Sequence, residues 1–257
     1  MSVEKQGRLF LLPAPLQPYG PGSWEPAELS QSIPAKALWL FANLSSFIVE
    51  SERSAMRLLS RFKDREQMQQ LSLKVLDEHS SEADIPRLLE DALAGKDCGF
   101  FTEAGMPCIA DPGAALVAYA HSRGVKIIPV AGPSSILLAL ASSGLDAQRF
   151  SFLGYLPQDK SARRAALQRL GREYRQDGIT RIFIETPYRN DAFLADCVAL
   201  LPEDSWLAVA SSLCGAEELI ISSPIAEWKK AAIPHIGKVP AVFLFGARAS
   251  LKPRNTV

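Results

Sequence analysis

Short runs of β-branched and aromatic residues alternate with helix-length amphipathic segments along almost the whole chain. Strand-like runs fall at residues 8–12, 47–50, 71–76, 98–102, 125–130, 150–154, 181–185, 206–210, 218–222 and 241–245. Helical patterns lie between them at 28–41, 54–62, 85–94, 112–123, 133–143, 162–175, 190–201 and 225–232. This alternation predicts α/β layers rather than a β-sandwich or a helix bundle. Up to about residue 130 the strand–helix units are compact and similar in length, as a parallel sheet requires. Beyond it strands follow each other closely, which predicts hairpins and a mixed sheet. Two domains are therefore expected, residues 1–130 and 131–257. No Gly/Ser-rich linker separates them, so the junction at 128–132 is expected to be rigid.

Two helix starts carry punctuation. Asp111-Pro112-Gly113 offers a capping carboxylate before a proline whose missing N–H costs nothing in a first turn. Gly132-Pro133-Ser134-Ser135 is a similar start for the next helix, without a carboxylate, and Gly124 and Gly144 are placed as left-handed C-caps. The helix after Pro133 (Ile136-Leu137-Leu138-Ala139-Leu140-Ala141) is apolar nearly all round, which predicts burial on every side.

Composition narrows the class. The chain has 257 residues, 47% of them apolar, a content that excludes extended disorder. Lys plus Arg and Asp plus Glu each number 28, so a polybasic coat protein is not expected. The apolar run Leu9-Phe10-Leu11-Leu12 is cut by Pro13 and Pro15, too short for a secretory core, and no stretch approaches a membrane span. A cytoplasmic, soluble protein is expected. Four scattered cysteines and three histidines argue against a disulfide scaffold or a zinc site. Charge is nevertheless uneven: six acids against one Arg from Asp77 to Asp91, and six bases against three acids from Asp159 to Asp177. In a helix Arg164, Gln168, Arg172 and Arg175 share one face, either a solvated surface or a phosphate-contacting ridge.

The turns carry the candidate chemistry. No G-x-G-x-x-G, P-loop, G-x-S-x-G or H-E-x-x-H pattern occurs. Leu11-Leu12-Pro13-Ala14-Pro15 follows the first strand, and a proline-rich turn cannot cradle a pyrophosphate through its N–H groups. The richest turn is Thr102-Glu103-Ala104-Gly105-Met106-Pro107-Cys108-Ile109-Ala110-Asp111-Pro112-Gly113, unusually long for a strand–helix connection and placed at a strand's carboxyl end, where open sheets bind ligands. Glu103 reads as a hydroxyl acceptor or a solvated turn residue. In Ile184-Glu185-Thr186-Pro187-Tyr188-Arg189, Glu185 and Arg189 read as a local ion pair.

In order along one chain, T-E-A-G-M-P-x-I-A-D-P-G, V-x-G-P-S-S, F-x-F-L-G-Y-L-P-Q and I-E-T-P-Y-R resemble the tetrapyrrole (corrin/porphyrin) methylase superfamily, most of all its small-subunit ribosomal RNA 2′-O-ribose methyltransferase I branch. The resemblance runs from about Leu9 to Phe245. It implies two α/β domains, a homodimer and S-adenosylmethionine (SAM) held in the cleft between the domains, with no metal and no membrane. Carried across by position, it implies cofactor contacts from Pro13, Ala14, Thr102, Glu103, Ala104, Gly105, Met106, Ile109, Ser134, Ser135, Tyr155 and Leu156. Leu213, Pro240 and Ala241 would lie on the adenine side through their main chain.

The substrate loops depart from that branch. Its x-T-P-I-G-N-L-x-D loop is here Pro13-Ala14-Pro15-Leu16-Gln17-Pro18-Tyr19-Gly20-Pro21-Gly22-Ser23-Trp24. Its E-D-T-R is Glu50-Ser51-Glu52-Arg53, and its R-E-L-T-K is Ala210-Ser211-Ser212-Leu213-Cys214. A ribose hydroxyl acceptor calls for a base, worth about 10²–10⁴-fold. Glu50, Glu52, Glu103 and Glu185 are the carboxylates to weigh. Glu103 and Glu50 are the catalytic candidates, with Arg53 as the cation for substrate phosphate. The expected function is SAM-dependent methylation of ribosomal RNA in the small subunit, the basic helix contacting phosphates. The alternatives are a tetrapyrrole or other small-molecule acceptor, or a SAM-binding protein without turnover.

Overall fold

The computed structural model describes residues 6–17 and 26–250. Residues 18–24, the rest of the proline-rich segment after the first strand, lie outside it, as do the first five residues of the N-terminal reading. The chain divides into two compact units, Met1–Ser134 and Ser135–Val257.

In the first unit the strands are β1 (Arg8–Leu11), β2 (Ser46–Val49), β3 (Ser72–Val75), β4 (Cys98–Phe101) and β5 (Lys126–Pro129). Their order is β3-β2-β4-β1-β5, and every pairing is parallel. The apolar runs are continuous because the central strands are covered on both faces. Phe10, Phe47, Val49 and Phe101 point into one core, whereas Leu9, Ile48, Cys98 and Phe100 point into the other. Helices α1 (Pro26–Ser32), α2 (Ala35–Asn43), α3 (Glu52–Leu59) and α4 (Arg65–Gln69) precede β3, and Leu29, Phe41 and Leu58 fill the first core. Helices α5 (Ile85–Leu88), α6 (Glu90–Leu93) and α7 (Ala114–Ser122) supply Leu88, Ala92 and Leu116 to the second.

Two helical readings are corrected. The pattern at 28–41 is two helices, because Pro34 bars the preceding Ile33 from continuing the first and itself begins the second. Asp111 does not cap a helix: α7 starts at Ala114, with Gly113 at φ 128° as its N-cap. A Cβ at Gly113 would lie 2.3 Å from the Phe100 ring, so the loop needs glycine there.

In the second unit, after α8 (Ser135–Ser143), come β6 (Phe150–Tyr155), α9 (Lys160–Asp177), β7 (Thr180–Glu185), α10 (Asn190–Leu200), β8 (Trp206–Ser211), β9 (Leu219–Pro224), α11 (Ile225–Trp228) and β10 (Ala241–Gly246). The order is β6-β7-β10-β8-β9, with β6 parallel to β7 and the other pairings antiparallel, a mixed sheet. One face packs under α9 and α10, through Leu167, Leu170, Phe193, Leu194, Phe243 and Phe245. Asp159 caps α9 by accepting from the Ala162 N–H at 2.8 Å, and Gly178 ends it at φ 63°.

Helix α8 covers part of the other face, against β8, β9 and β10. Its expected all-round burial is wrong. Ile136, Ala139 and Leu140 are buried, but Leu137 is 54% exposed and Leu138 38%. One side of the helix suffices to cover these strands, and the leucines on its other side remain at the surface. Gly124 and Gly144 do adopt left-handed conformations, at φ 74° and 69°.

Candidate functional site

A parallel sheet brings all its carboxyl ends to one edge, so the turns after β1, β2, β4 and β5 in the first unit are neighbours. The β1 and β4 turns are tied directly: Ala14 N–H donates to the Gly105 carbonyl at 2.8 Å, and Gly105 N–H to the Ala14 carbonyl at 3.0 Å. Gly105 has φ 71°, and a Cβ there would approach Leu16 at 3.2 Å. The β5 turn closes on β1: a Cβ on Gly132 would overlap Pro13 at 2.0 Å. Pro13, Ala14 and Gly105 thus form one built corner, all three buried.

From that corner the 102–113 connection runs as a strained loop. Cys108 and Ala110 take positive φ, 69° and 65°, without being glycine. Such conformations cost about 1–3 kcal/mol each and persist only where surrounding structure imposes them. Buried Thr102 supplies one constraint, its Oγ1 donating to Asp111 Oδ2 at 2.8 Å across the loop. Glu103, Ala104, Ile109 and Ala110 are exposed, with Met106 half-buried.

Carboxylates gather there. Glu103 N–H donates to Glu50 Oε2 at 3.0 Å, and Ser54 Oγ donates to Glu103 Oε1 at 2.5 Å. Burial pushes the Glu50 carboxyl above the usual carboxylate range; the Glu103 N–H opposes that rise, and the charges of Asp111, Glu103 and Asp77 add to it. Asp111 is raised for the same first reason, burial, against the pull of the Thr102 hydroxyl. The Cys108 thiol is pushed up to about 11 by burial, with Asp111 adding, so it is no nucleophile at neutral pH. Among the described residues no Lys or Arg lies within ion-pair distance of Glu50, Glu103 or Asp111. An edge of strained main chain and unneutralised carboxylates suits a small ligand that carries positive charge, as a sulfonium does.

The second unit collects its candidates at one end of its own sheet. Tyr155 pairs with Ile184, Ala241 pairs with Glu185 and Ser211, and Ser212 N–H donates to the Pro240 carbonyl at 3.0 Å. Leu213 therefore follows directly beside Pro240 and Ala241. Ser212 and Cys214 have positive φ, 49° and 63°. Leu156, Leu213 and Ala241 are buried, whereas Tyr155 is 57% exposed. Ser134 ends the first unit, and Ser135 begins α8 and the second.

Arg53 and Glu52 are exposed on the first turn of α3, capped by Ser51, and Arg53 has no contact with the carboxylate group. Glu185 is the ion pair with Arg189, at 2.5 Å; its side chain is fully buried and its Oε2 has no partner, which removes it as a base for an external substrate. Sequence reasoning missed three positions. Asp111 was read as a cap, Ser54 carried no local signal, and Asp196 lay unremarked in a helix. Yet Asp196 accepts from Arg163 at 3.0 Å and from Arg164 at 2.5 Å, and Arg163 is buried with it. On the α9 face that reads as a solvated surface or a phosphate ridge, Arg164 is held by Asp196 and Arg175 lies 3.7 Å from Asp204, whereas Arg172 has no carboxylate that close among the described residues.

Comparison with known proteins adds family and fold. The family model for Tetrapyrrole (Corrin/Porphyrin) Methylases matches residues 43–229. The chain is 30% identical over 221 residues to the ribosomal RNA small subunit methyltransferase I of Vibrio cholerae, covering 85% of this chain and 69% of that protein. It is 30% identical over 222 residues to the Escherichia coli O157:H7 protein of the same name, covering 86% and 71%. The chain thus spans about two-thirds of such relatives' length. The crystal structure of the methyltransferase CobJ shares its fold, with a TM-score of 0.58 at 16% identity over 96% of each chain.

Proposed function

The chain belongs to the tetrapyrrole (corrin/porphyrin) methylase family, and from that premise we propose that it is a SAM-dependent methyltransferase whose acceptor is a ribose 2′-hydroxyl of small-subunit ribosomal RNA. The single observation that carries the reading is the first unit's carboxyl edge, where the Ala14–Gly105 pair, the strained 102–113 loop and unneutralised carboxylates meet. When bound there, SAM supplies an electrophilic methyl group on a cationic sulfur. Thr102, Glu103, Ala104, Gly105, Met106 and Ile109 would hold it, with Pro13 and Ala14 as the wall. The adenine side is assigned to the main chain of Leu213, Pro240 and Ala241.

The protein's own part in the chemistry is to position the hydroxyl, exclude water and take a proton. Glu50 is the base of this reading. Its raised carboxyl is a stronger proton acceptor than an ordinary one, and the Glu103 N–H holds its Oε2 in place. Glu103 becomes a positioning residue, aligned by Ser54 and donating to Glu50 through its backbone. Arg53, exposed one turn on, is retained as a phosphate contact.

Methyl transfer from labelled SAM into small ribosomal subunits from a strain lacking this protein tests the reading. Incorporation at a ribose supports it. Tight SAM binding with no incorporation, and turnover on a tetrapyrrole instead, would shift the acceptor to a small molecule. A homodimer and a cytoplasmic location belong to the same proposal. Exposed Leu137, Leu138, Leu219 and Ile220, on elements that pack together, offer apolar surface to a second copy.

A further inference from the structure

A cavity of about 980 Å³ in the second unit runs between β6 and α9. β6 is an edge strand, so among the described residues its outer backbone groups pair with no strand. The floor is apolar, with Leu153, Ala165 and Leu170, and the α9 rim carries Arg169 and Arg172. One end is lined by Tyr155 and Leu156, which the family resemblance gives as cofactor contacts, and the other by Ile179.

Not every cation here is available. Arg181, at the far end, is held by Asp177 at 2.5 Å, and Arg169 lies 3.5 Å from Glu173, the acid within the groove. That last pair is exposed on both sides, and such pairs contribute little. Arg172 is exposed and, among the described residues, has no carboxylate within ion-pair distance.

We propose that this groove seats a single-stranded segment of the acceptor RNA, its bases against the apolar floor and its phosphates on the Arg169 and Arg172 rim. The inference rests on the RNA methyltransferase reading and adds a seat for the acceptor strand on the second unit. A cationic groove with an aromatic face for stacking grips single strands without reading sequence, and exposed Tyr155 supplies that face beside the apolar floor. A duplex hides its bases and gains only the rim. An added β-strand from a protein would use the β6 edge but has no use for an unpaired arginine rim.

The test measures the anisotropy of a labelled single-stranded oligoribonucleotide against full-length protein, with SAM affinity and sedimentation as controls. Arg172→Glu reverses the rim, and Ala165→Trp fills the floor from an exposed helix position. Each is expected to weaken single-strand binding about tenfold or more, and Arg172→Glu to reduce the salt slope by about 0.7. Both should leave SAM affinity and oligomeric state unchanged, and a duplex of the same sequence should bind more weakly than the single strand. Unchanged RNA binding in both variants, with wild type still methylating small subunits, overturns the groove alone. A change of oligomeric state in Ala165→Trp with RNA binding intact overturns it in favour of a protein interface. A wild type that binds SAM but neither binds nor methylates RNA overturns the underlying reading, and the groove with it.

Discussion

The 102–113 loop of the first unit and helix α9 of the second both stand out in the sequence, one by glycines and prolines, the other by arginines. They use charge in opposite ways. Around the loop, Glu50, Glu103 and Asp111 meet hydroxyls and an N–H but no described cation. On α9 most of the apparent surplus is spent at home: Arg163 and Arg164 share Asp196, and Arg169 and Arg175 face acids. A count of charged residues measures what a segment carries, whereas function depends on what folding leaves unneutralised. By that measure the carboxylates around the loop are the unneutralised group, and on α9 Lys160 and Arg172, with the loosely paired Arg169, stay open among the described residues.

The sharpest way to break the contrast is Glu50→Gln. If Glu50 takes the proton, kcat falls by about 10²–10⁴-fold while SAM affinity holds, and a steady-state assay separates the two. The wild-type rate should rise with pH as the raised Glu50 carboxyl ionises, at a pH above the ordinary carboxylate value, and this acid limb should vanish in the variant. Stability moves the other way. The folded protein holds the Glu50 proton more tightly than the unfolded chain, so stability falls as pH rises from the ordinary value through the raised one. Glu50→Gln should therefore melt higher than wild type at neutral pH, and the advantage should disappear on acidification below the ordinary value.

On α9 the comparison predicts inequality between adjacent arginines. Arg163→Ala leaves buried Asp196 without its buried partner and should cost about 3–5 kcal/mol in a denaturant titration. Arg164, 40% exposed, should cost about 1 kcal/mol or less. Equal losses would mean that the two are not divided between structure and surface as described. Smaller still, Leu137→Ser should change monomer stability by no more than about 0.5 kcal/mol, while sedimentation reports whether that face meets a second copy.

Much of the fold is legible in the chain because periodicity is local. All ten strand-like runs are strands of the described residues, and Gly124 and Gly144 sit where left-handed caps are needed. The misses arise where a distant partner decides. Asp111 looks like a cap beside Pro112, but Thr102 claims it from across the loop. The Ile33–Pro34 break was hidden inside an apolar pattern that spans both helices. Apolar residues all round α8 predict burial on every side, and the helix leaves Leu137 out. At the site, the turns were visible as punctuation, but which carboxylate is strained by burial was not. Glu50 and Glu103 look alike in sequence, and only the packing distinguishes the half-buried one from the exposed one.

Calorimetric titration with S-adenosylhomocysteine of wild type and of Gly105→Val tests the central claim most directly. A β-branched residue at φ 71° strains the Ala14–Gly105 corner by about 1–3 kcal/mol. The account predicts clear binding to wild type and a loss of about tenfold or more in the variant, with the circular dichroism of both proteins alike. No heat from wild type, or equal affinity in the two, would contradict it.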